Sequence, residues 1–446
     1  MSMKVAVIGG GIAGLSAAVA LQSRGASVVV REASRRMGGC LQSERTSGGV
    51  MEWGASSLLG SHEFFGRAMD ISGCSEKLRE ASPTAKSRHV WWAGHPCRLP
   101  THVMDALASP LLGPLGLARV FLEPLCPRSP EGASVHSFVS RRLGRRLADR
   151  FADPFVSGVW AGDATRLRVQ HTLPKLYSME HQHRSLLIGM ILHRQSRNSD
   201  PAVKPARKGL YSLEGGLQTL AEGLASRLPA DAVECGKVLE DYAIGDEGVV
   251  LTYKDGSSEK IDRLVLALDG SGLARILRRH DTSLSSVLVQ APRAVVGVAH
   301  LTFKSDSSTR PRGYGMLLGS RYSRGSLLGI LHVSDVFPRA DGLTHLCTYW
   351  GGRRFPEVGG WNVSQLEAEA SKAVGELYGL RDPVLVKGGF ARPGIPQYEG
   401  GQGLLESLRD RFHGAHPRIR LVGSWQGGVS VLDVFKSAMQ TMESWG

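Results

Sequence analysis

The run Gly9-Gly10-Gly11-Ile12-Ala13-Gly14 follows the apolar stretch Val5-Ala6-Val7-Ile8 and leads into a helix-like segment ending near Arg24. Three glycines at this spacing can hold a diphosphate. Gly9 permits a tight turn out of a strand, Gly11 lets the backbone approach a pyrophosphate, and Gly14 lets helix and strand pack closely. The diphosphate then lies over the N-terminus of the helix that Ile12 and Ala13 open, where unpaired N–H groups and the helix dipole favour negative charge. A second strand, Ser27-Val28-Val29-Val30-Arg31-Glu32, ends in an acid 18 residues beyond Gly14, close to where a ribose diol needs its acceptor. The pattern points to an adenine dinucleotide with Glu32 as ribose ligand.

The chain that must position these residues has 446 residues, 42% of them hydrophobic and 21% charged. That exceeds one typical domain and suffices for two or three cores. The uncharged run between Asp105 and Arg119 is interrupted by Pro110 and Pro114 and is too short to cross a bilayer. The first strand begins by residue 4, which leaves no room for a signal or transit peptide and predicts a cytoplasmic protein. Six scattered cysteines with no CxxC pair read as free thiols in a reducing compartment. His171, His181, His183 and His193 fit no standard ligand set, so no metal is expected. A formal charge of +13 implies attraction to something anionic. Dispersed arginines without a recognisable nucleic-acid module argue against nucleic acid.

Beyond Glu32 come Arg36-Met37-Gly38-Gly39 and, after the Gly48-Gly49 turn, Glu52-Trp53-Gly54. Near the C-terminus Arg420-Leu421-Val422-Gly423-Ser424 runs into Gly427-Gly428-Val429-Ser430-Val431 and a closing helix. Together these resemble the extended fingerprint of FAD-dependent amine-oxidase-type flavoproteins. The resemblance implies FAD, with Arg36, Gly38, Gly39 and Gly54 keeping the chain near the diphosphate, Val238 against the adenine, and Gly423, Val429, Val431 and Asp433 returning to the flavin. A helix N-terminus there could stabilise negative charge on the reduced ring. No Cys or His stands where a covalent flavin bond would be expected, so the FAD is predicted to be noncovalent.

Phe155-Val156-Ser157-Gly158-Val159-Trp160-Ala161-Gly162-Asp163, then Leu173-Pro174-Lys175-Leu176, Glu180-His181-Gln182-His183-Arg184-Ser185-Leu186 and Gly394-Ile395-Pro396-Gln397-Tyr398, resemble the signature of the protoporphyrinogen oxidase family. The resemblance covers nearly the whole chain. It implies oxidation of a porphyrinogen to a planar porphyrin, six electrons in three two-electron steps with dioxygen as acceptor, by hydride transfer from a bridging methylene carbon to flavin N5. No protein nucleophile is needed and no catalytic side chain is assigned. A large apolar macrocycle with carboxylates calls for a wide pocket with a basic group at its rim. Arg88 matches the family's propionate-binding arginine, Gly158 would offer its carbonyl to pyrrole N–H groups, and Tyr314, Leu328 and Tyr349 are the expected walls.

The chain departs from the family at three places. Ser430-Val431-Leu432-Asp433-Val434 stands where Gly-x-Asn-Asp-Cys is usual, Ala391 where a tryptophan often precedes the Ile395-Pro396-Gln397-Tyr398 run, and Asp269 where the apolar strand usually ends in Ala-Pro. Coproporphyrinogen III oxidation is the rival within the family. An amine oxidase would carry a lysine in the strand Ala294 to Phe303, which has none; Lys304 falls just beyond. An inactive, membrane-docked flavin-binding paralogue is the non-enzyme alternative.

The fold expected is α/β. A discontinuous Rossmann-like FAD-binding domain would comprise 1–82, 207–273 and 386–446, with a helical membrane-associating domain at 83–190 and an antiparallel-sheet substrate domain at 191–206 and 274–385. Arg119, Arg128, Arg184, His193, Arg194 and Arg197 border short apolar runs, which reads as a face resting peripherally on an anionic membrane; an ordinary helical core with solvated arginines reads the same residues. The next haem-pathway enzyme and a homodimer are the further partners considered.

Overall fold

The computed structural model describes residues 2–46, 49–100, 105, 109–199, 207–304, 309–321, 325–339 and 341–445. It divides into two compact units, Met1–Glu80 with Pro205–Ala291 and Gly401–Gly446, and Ala81–Lys204 with Pro292–Gly400.

The first unit is built on a five-stranded sheet in the order Val233–Cys235, Ser27–Glu32, Lys4–Ile8, Arg263–Leu266, Ile419–Leu421, parallel throughout. A parallel sheet is covered on both faces, so its strands are nearly continuous apolar runs. Because side chains alternate, Val5, Val7, Val28, Val30 and Val265 enter one core with helix Ile12–Gln22 and the closing helix Val431–Glu443. Ala6, Ile8, Leu264 and Leu266 enter the opposite core. Ala13 to Leu21 are all buried, as suits an alanine-rich helix whose apolar residues run round its whole circumference. The Arg24 guanidinium donates to the carbonyls of Met442 and Trp445 (3.1 Å for the latter), fastening the first helix to the end of the last.

The second unit holds a seven-stranded sheet in the order Leu385–Pro396, Arg293–Phe303, Thr344–Gly351, Leu327–Leu331, Gly315–Leu318, Arg88–Trp92, His95–Arg98. Its pairs are antiparallel except that Gly315–Leu318 and Arg88–Trp92 run parallel. One face carries helix Val363–Tyr378, with Leu366, Ala370 and Val374 packed against Ala299, Leu301, Leu346 and Trp350. The predominantly helical stretch 83–190 thus opens with two strands that join this sheet. Residues 274–291 pack in the first unit, and 386–396 form the edge strand of the second. The helical arm is organised around Arg142, which donates to Glu123 Oε1 (3.1 Å) and Glu180 Oε1 (2.6 Å) with all three side chains fully buried. Among the described residues no helix is long and apolar enough to cross a membrane. Of the basic residues bordering the apolar runs, the side chains of His193, Arg194 and Arg197, like residues 200–206 of the linker, lie outside the described residues.

Candidate active site

The first strand, the glycine turn and the first helix stand in the order expected. Gly9 has φ +111°, a region that favours glycine, and a Cβ there would lie 2.3 Å from the Ala267 carbonyl oxygen. A Cβ on Gly14 would lie 1.9 Å from the Gly9 carbonyl oxygen. Packing therefore demands both glycines. Gly11 differs, because the nearest heavy atom to its imagined Cβ is Gly39 Cα at 3.8 Å. A methyl there would make only an ordinary van der Waals contact, so packing does not demand this glycine, which stands at the start of the helix that Ile12 and Ala13 open. Gly38 N–H donates to Gly10 O (2.8 Å), which draws the Gly38-Gly39 pair alongside the turn. A glycine turn at a helix N-terminus fits a diphosphate, whose oxygens need close backbone approach and N–H donors.

Glu32 ends the second strand and its carboxylate reaches the turn, accepting from Gly10 N–H (2.6 Å) and Ser34 N–H (2.8 Å). Arg36 holds the next loop together, donating to Leu41 O (3.0 Å), Gly39 O (2.7 Å) and Gln42 Oε1 (3.1 Å). Its contribution is thus to fix the backbone around the glycine pair. Gly54 lies against the same loop, its imagined Cβ 2.0 Å from Cys40 O. Glu52, two residues earlier, accepts from Leu217 N–H (2.7 Å) and Ser43 Oγ–H (2.7 Å). Burial pushes its carboxyl up to about 7 against the pull of those two bonds. Val238 sits beside the end of the Glu32 strand, next to Lys237, whose N–H donates to Glu32 O (2.9 Å), while its own carbonyl accepts from Lys254 N–H (2.9 Å).

The C-terminal return joins the opposite edge of the same sheet. Val422 N–H donates to Leu266 O (3.1 Å), and Gly423 follows. Val429 precedes Ser430, the N-cap of the closing helix, and Val431 is its first residue. Asp433 N–H donates to Ser430 Oγ (3.1 Å), Ser430 Oγ–H to Asp433 Oδ2 (2.5 Å), and His62 Nε2 stands 3.1 Å from Asp433 Oδ1. Burial raises the Asp433 carboxyl, but the bonds from His62 and Ser430 outweigh it and hold the group below the usual carboxylate range. Of the departures in sequence, Leu432 is buried in the core. Asp269 caps helix Gly270–Leu277 by accepting from Ser271 N–H (2.8 Å) and Gly272 N–H (3.3 Å).

In the second unit, strand register brings two of the expected substrate residues, Arg88 and Tyr349, to one face. Arg88 pairs with Gly315 and Val90 with Leu317, so Arg88, Val90 and Leu317 point to the sheet face opposite helix Val363–Tyr378. Tyr349, flanked by Thr348 and Trp350, lies on that face too, opposite Gly329. The Arg88 guanidinium is exposed and lies over the Tyr314 ring, 5.1 Å from its centroid. Leu328 is the extra residue of a bulge between the Leu327–Trp350 and Gly329–Tyr349 pairs, and it is buried. Gly158 lies in the last turn of helix Asp153–Trp160, and its imagined Cβ would stand 2.4 Å from Leu317 Cδ2. Packing of this helix on the sheet is thus itself a reason for glycine. Carbonyls of a last turn lack intrahelical partners, and Trp160 O is taken by Gln397 Nε2–H (2.8 Å). The helix start is fixed by Asp153, which pairs with the partly buried Arg354 and accepts from Ser320 N–H (2.7 Å).

Comparison with known proteins decides the family. Residues 12–441 match the family described as flavin containing amine oxidoreductase. The chain belongs to that family. Within it, protoporphyrinogen oxidase of Bos taurus is 30% identical over 99% of this chain and 98% of its own, which places the chain with the protoporphyrinogen oxidases. Coproporphyrinogen III oxidase of Bacillus subtilis is 24% identical over 96% of this chain and 95% of its own. A solved structure from Exiguobacterium sp. 255-15, provisionally named a protoporphyrinogen oxidase, superposes with a TM-score of 0.84 at 22% identity, covering 100% of this chain and 98% of that one. At that identity the likeness shows the fold.

This flavin-containing amine oxidoreductase is an oxidoreductase whose cofactor is FAD. The α/β fold with separate parallel and predominantly antiparallel sheets is the one expected. Reading the sequence missed His62, whose partner Asp433 lies 371 residues away. It also missed the tie from Glu52 to Leu217. Neither has a local signal, because each is made by elements distant in the chain.

Proposed function

We propose that this flavoenzyme oxidises protoporphyrinogen IX to protoporphyrin IX, passing six electrons in three two-electron steps to dioxygen and yielding hydrogen peroxide. The observation that carries the reading is the full-length match to a protoporphyrinogen oxidase at 30% identity. The sheet face bearing Arg88 and Tyr349, with Gly158 packed against it through Leu317, supports it.

Bound noncovalently, FAD supplies a hydride acceptor at N5. Gly9, Gly11, Ile12, Ala13 and Gly14 would present turn and helix N–H groups to its diphosphate, with Gly38, Gly39 and Gly54 closing the other side and Arg36 holding that loop. Glu32 would accept from the adenosine ribose and Val238 would border the adenine. Gly423, Val429 and Val431 would line the flavin, and Asp433 would accept from a cofactor hydroxyl. Toward the macrocycle, Arg88 would pair with a propionate, Tyr314, Leu328 and Tyr349 would form walls, and the Gly158 carbonyl would accept a pyrrole N–H. Orientation then supplies most of the rate, since a hydride donor must be held in line with its acceptor.

Anaerobic mixing of the holoenzyme with protoporphyrinogen IX, and separately with coproporphyrinogen III, tests this. Rapid bleaching of the flavin by the first, followed by porphyrin fluorescence when air enters, is expected. Bleaching by coproporphyrinogen III alone would move the assignment to the activity for which the Bacillus subtilis relative is named. A flavin that stays oxidised with both would overturn it.

We further infer that the helical arm rests on an anionic membrane. Phe121 (69% exposed), Leu122, Leu125 (82%), Ile188, Met190, Ile191 and Leu192 are exposed large apolar residues, and Arg119, Arg128 and Arg184 are close to them in the chain. Apolar surface with basic flanks binds anionic interfaces. Co-sedimentation with anionic but not neutral vesicles at equal salt is expected; equal partitioning would refute it.

A further inference from the structure

The segment after strand Leu58–Leu59 is laid along the closing helix Val431–Glu443 by four contacts. Glu63 pairs with Lys436 (2.5 Å), Phe64 packs edge-on against Phe435 with centroids 6.3 Å apart, Arg67 pairs with Glu443, and His62 meets Asp433. Three of these are surface contacts or ring packing of a common sort. The fourth is specific. Phe64 N–H donates to His62 Nδ1 (3.1 Å), so a neutral imidazole must carry its proton on Nε2, the nitrogen 3.1 Å from Asp433 Oδ1. The backbone of the segment thereby selects the tautomer that donates to the carboxylate. The other oxygen, Oδ2, is held by Ser430 Oγ–H (2.5 Å). A Cβ on Gly428 would stand 2.4 Å from Asp433 Cβ, so the turn before the helix presses on Asp433 from a third side.

We propose that His62 is a positioning residue for the cofactor: by donating from Nε2 it fixes Asp433 in the orientation, and as the anion, in which Asp433 accepts from a hydroxyl of FAD. A carboxylate restrained by two donors has its remaining lone pairs aimed in set directions, and losing one donor costs orientation as well as a charge-assisted bond. The inference rests on the assignment of Asp433 to FAD made above.

The test is the FAD dissociation constant of the purified full-length holoprotein, read from the rise of flavin fluorescence on dilution, in a cycle of His62→Phe, Asp433→Ala and the double variant. His62→Phe is expected to weaken FAD binding about tenfold in the wild-type background and less than about twofold beside Asp433→Ala, the loss expected of one charge-assisted hydrogen bond. His62→Gln, which keeps a side-chain N–H donor, should stay within about threefold of wild type. Should His62→Phe not fold, His62→Ala, which inserts no bulk, takes its place. An equal loss from the histidine substitution with and without Asp433, or no loss at all, overturns the proposal. Asp433→Ala leaving FAD affinity unchanged would instead remove Asp433 from the cofactor site, and with it the basis of the inference.

Discussion

The two units present their candidate ligand groups in different ways. In the first, they are mostly backbone groups of the glycine turn, at the C-terminal end of a parallel strand and the start of a helix. In the second, the groups are mostly side chains: Arg88 and Tyr349 are brought to one sheet face by the register of strands far apart in the chain, and Tyr314 lies under the Arg88 guanidinium. A backbone-lined site is written in sequence as missing side chains at fixed spacing. A side-chain-lined site is fixed only when pairing is fixed, because a slip of one residue turns every side chain to the other face.

The strongest way to break the comparison is to give the first unit side chains where it has none. Gly14→Val should cost about 5 kcal/mol or more and yield no folded protein, because its Cβ collides with backbone. Gly11→Ala should melt within a few degrees of wild type yet lose FAD affinity by about 30-fold or more, since the methyl fills the ligand's space and not the protein's. Melting curves and flavin retention separate the two, and a Gly11→Ala variant that keeps its FAD would remove Gly11 from the site. In the second unit the corresponding keystone is a charge. Arg142→Met strips the cation from two fully buried carboxylates and should destabilise by about 3–5 kcal/mol in urea melts.

Smaller effects sharpen the contrast. Arg88→Ala should raise the Michaelis constant for a carboxylated porphyrinogen about tenfold, as expected for a lost ion pair to substrate, with little change in turnover. An unchanged constant would take Arg88 out of the pocket. Smallest is the pH effect of Glu52, whose carboxyl is raised from 4.5 to about 7 in the folded protein. The folded state holds this proton more tightly than the unfolded chain, so the group's contribution is full below pH 4.5 and is lost as pH rises through 7. Glu52→Gln should remove that decline and gain about 1 kcal/mol at pH 8 relative to pH 5, a modest figure because the group keeps some solvent contact.

Much of the first unit was legible. The order strand, glycine turn, helix, strand and acid is local chemistry, and Gly9, Gly14 and Glu32 stand where their spacing required. Arg36 was legible as a residue of the loop, but its hold on the carbonyls of Gly39 and Leu41 was not, since side-chain direction is set by the fold. The strands Arg88–Trp92 and His95–Arg98 sit in a stretch whose pattern reads as helical. Arg88–Trp92 becomes a strand because a distant segment, Gly315–Leu318, offers it hydrogen bonds, and His95–Arg98 then pairs with Arg88–Trp92.

By itself the sequence determined the nucleotide-binding turn, the apolar parallel strands and the flavoprotein class, because these follow from steric freedom at glycine and from burial on both faces of a sheet. Tertiary structure decided how much room each glycine of the turn has, as the 3.8 Å at Gly11 against 1.9 Å at Gly14 shows. It decided the placing of Arg88 and Tyr349 on one face and the pairing of His62 with Asp433. Those outcomes depend on contacts between segments hundreds of residues apart, whose geometry is set only when the cores close.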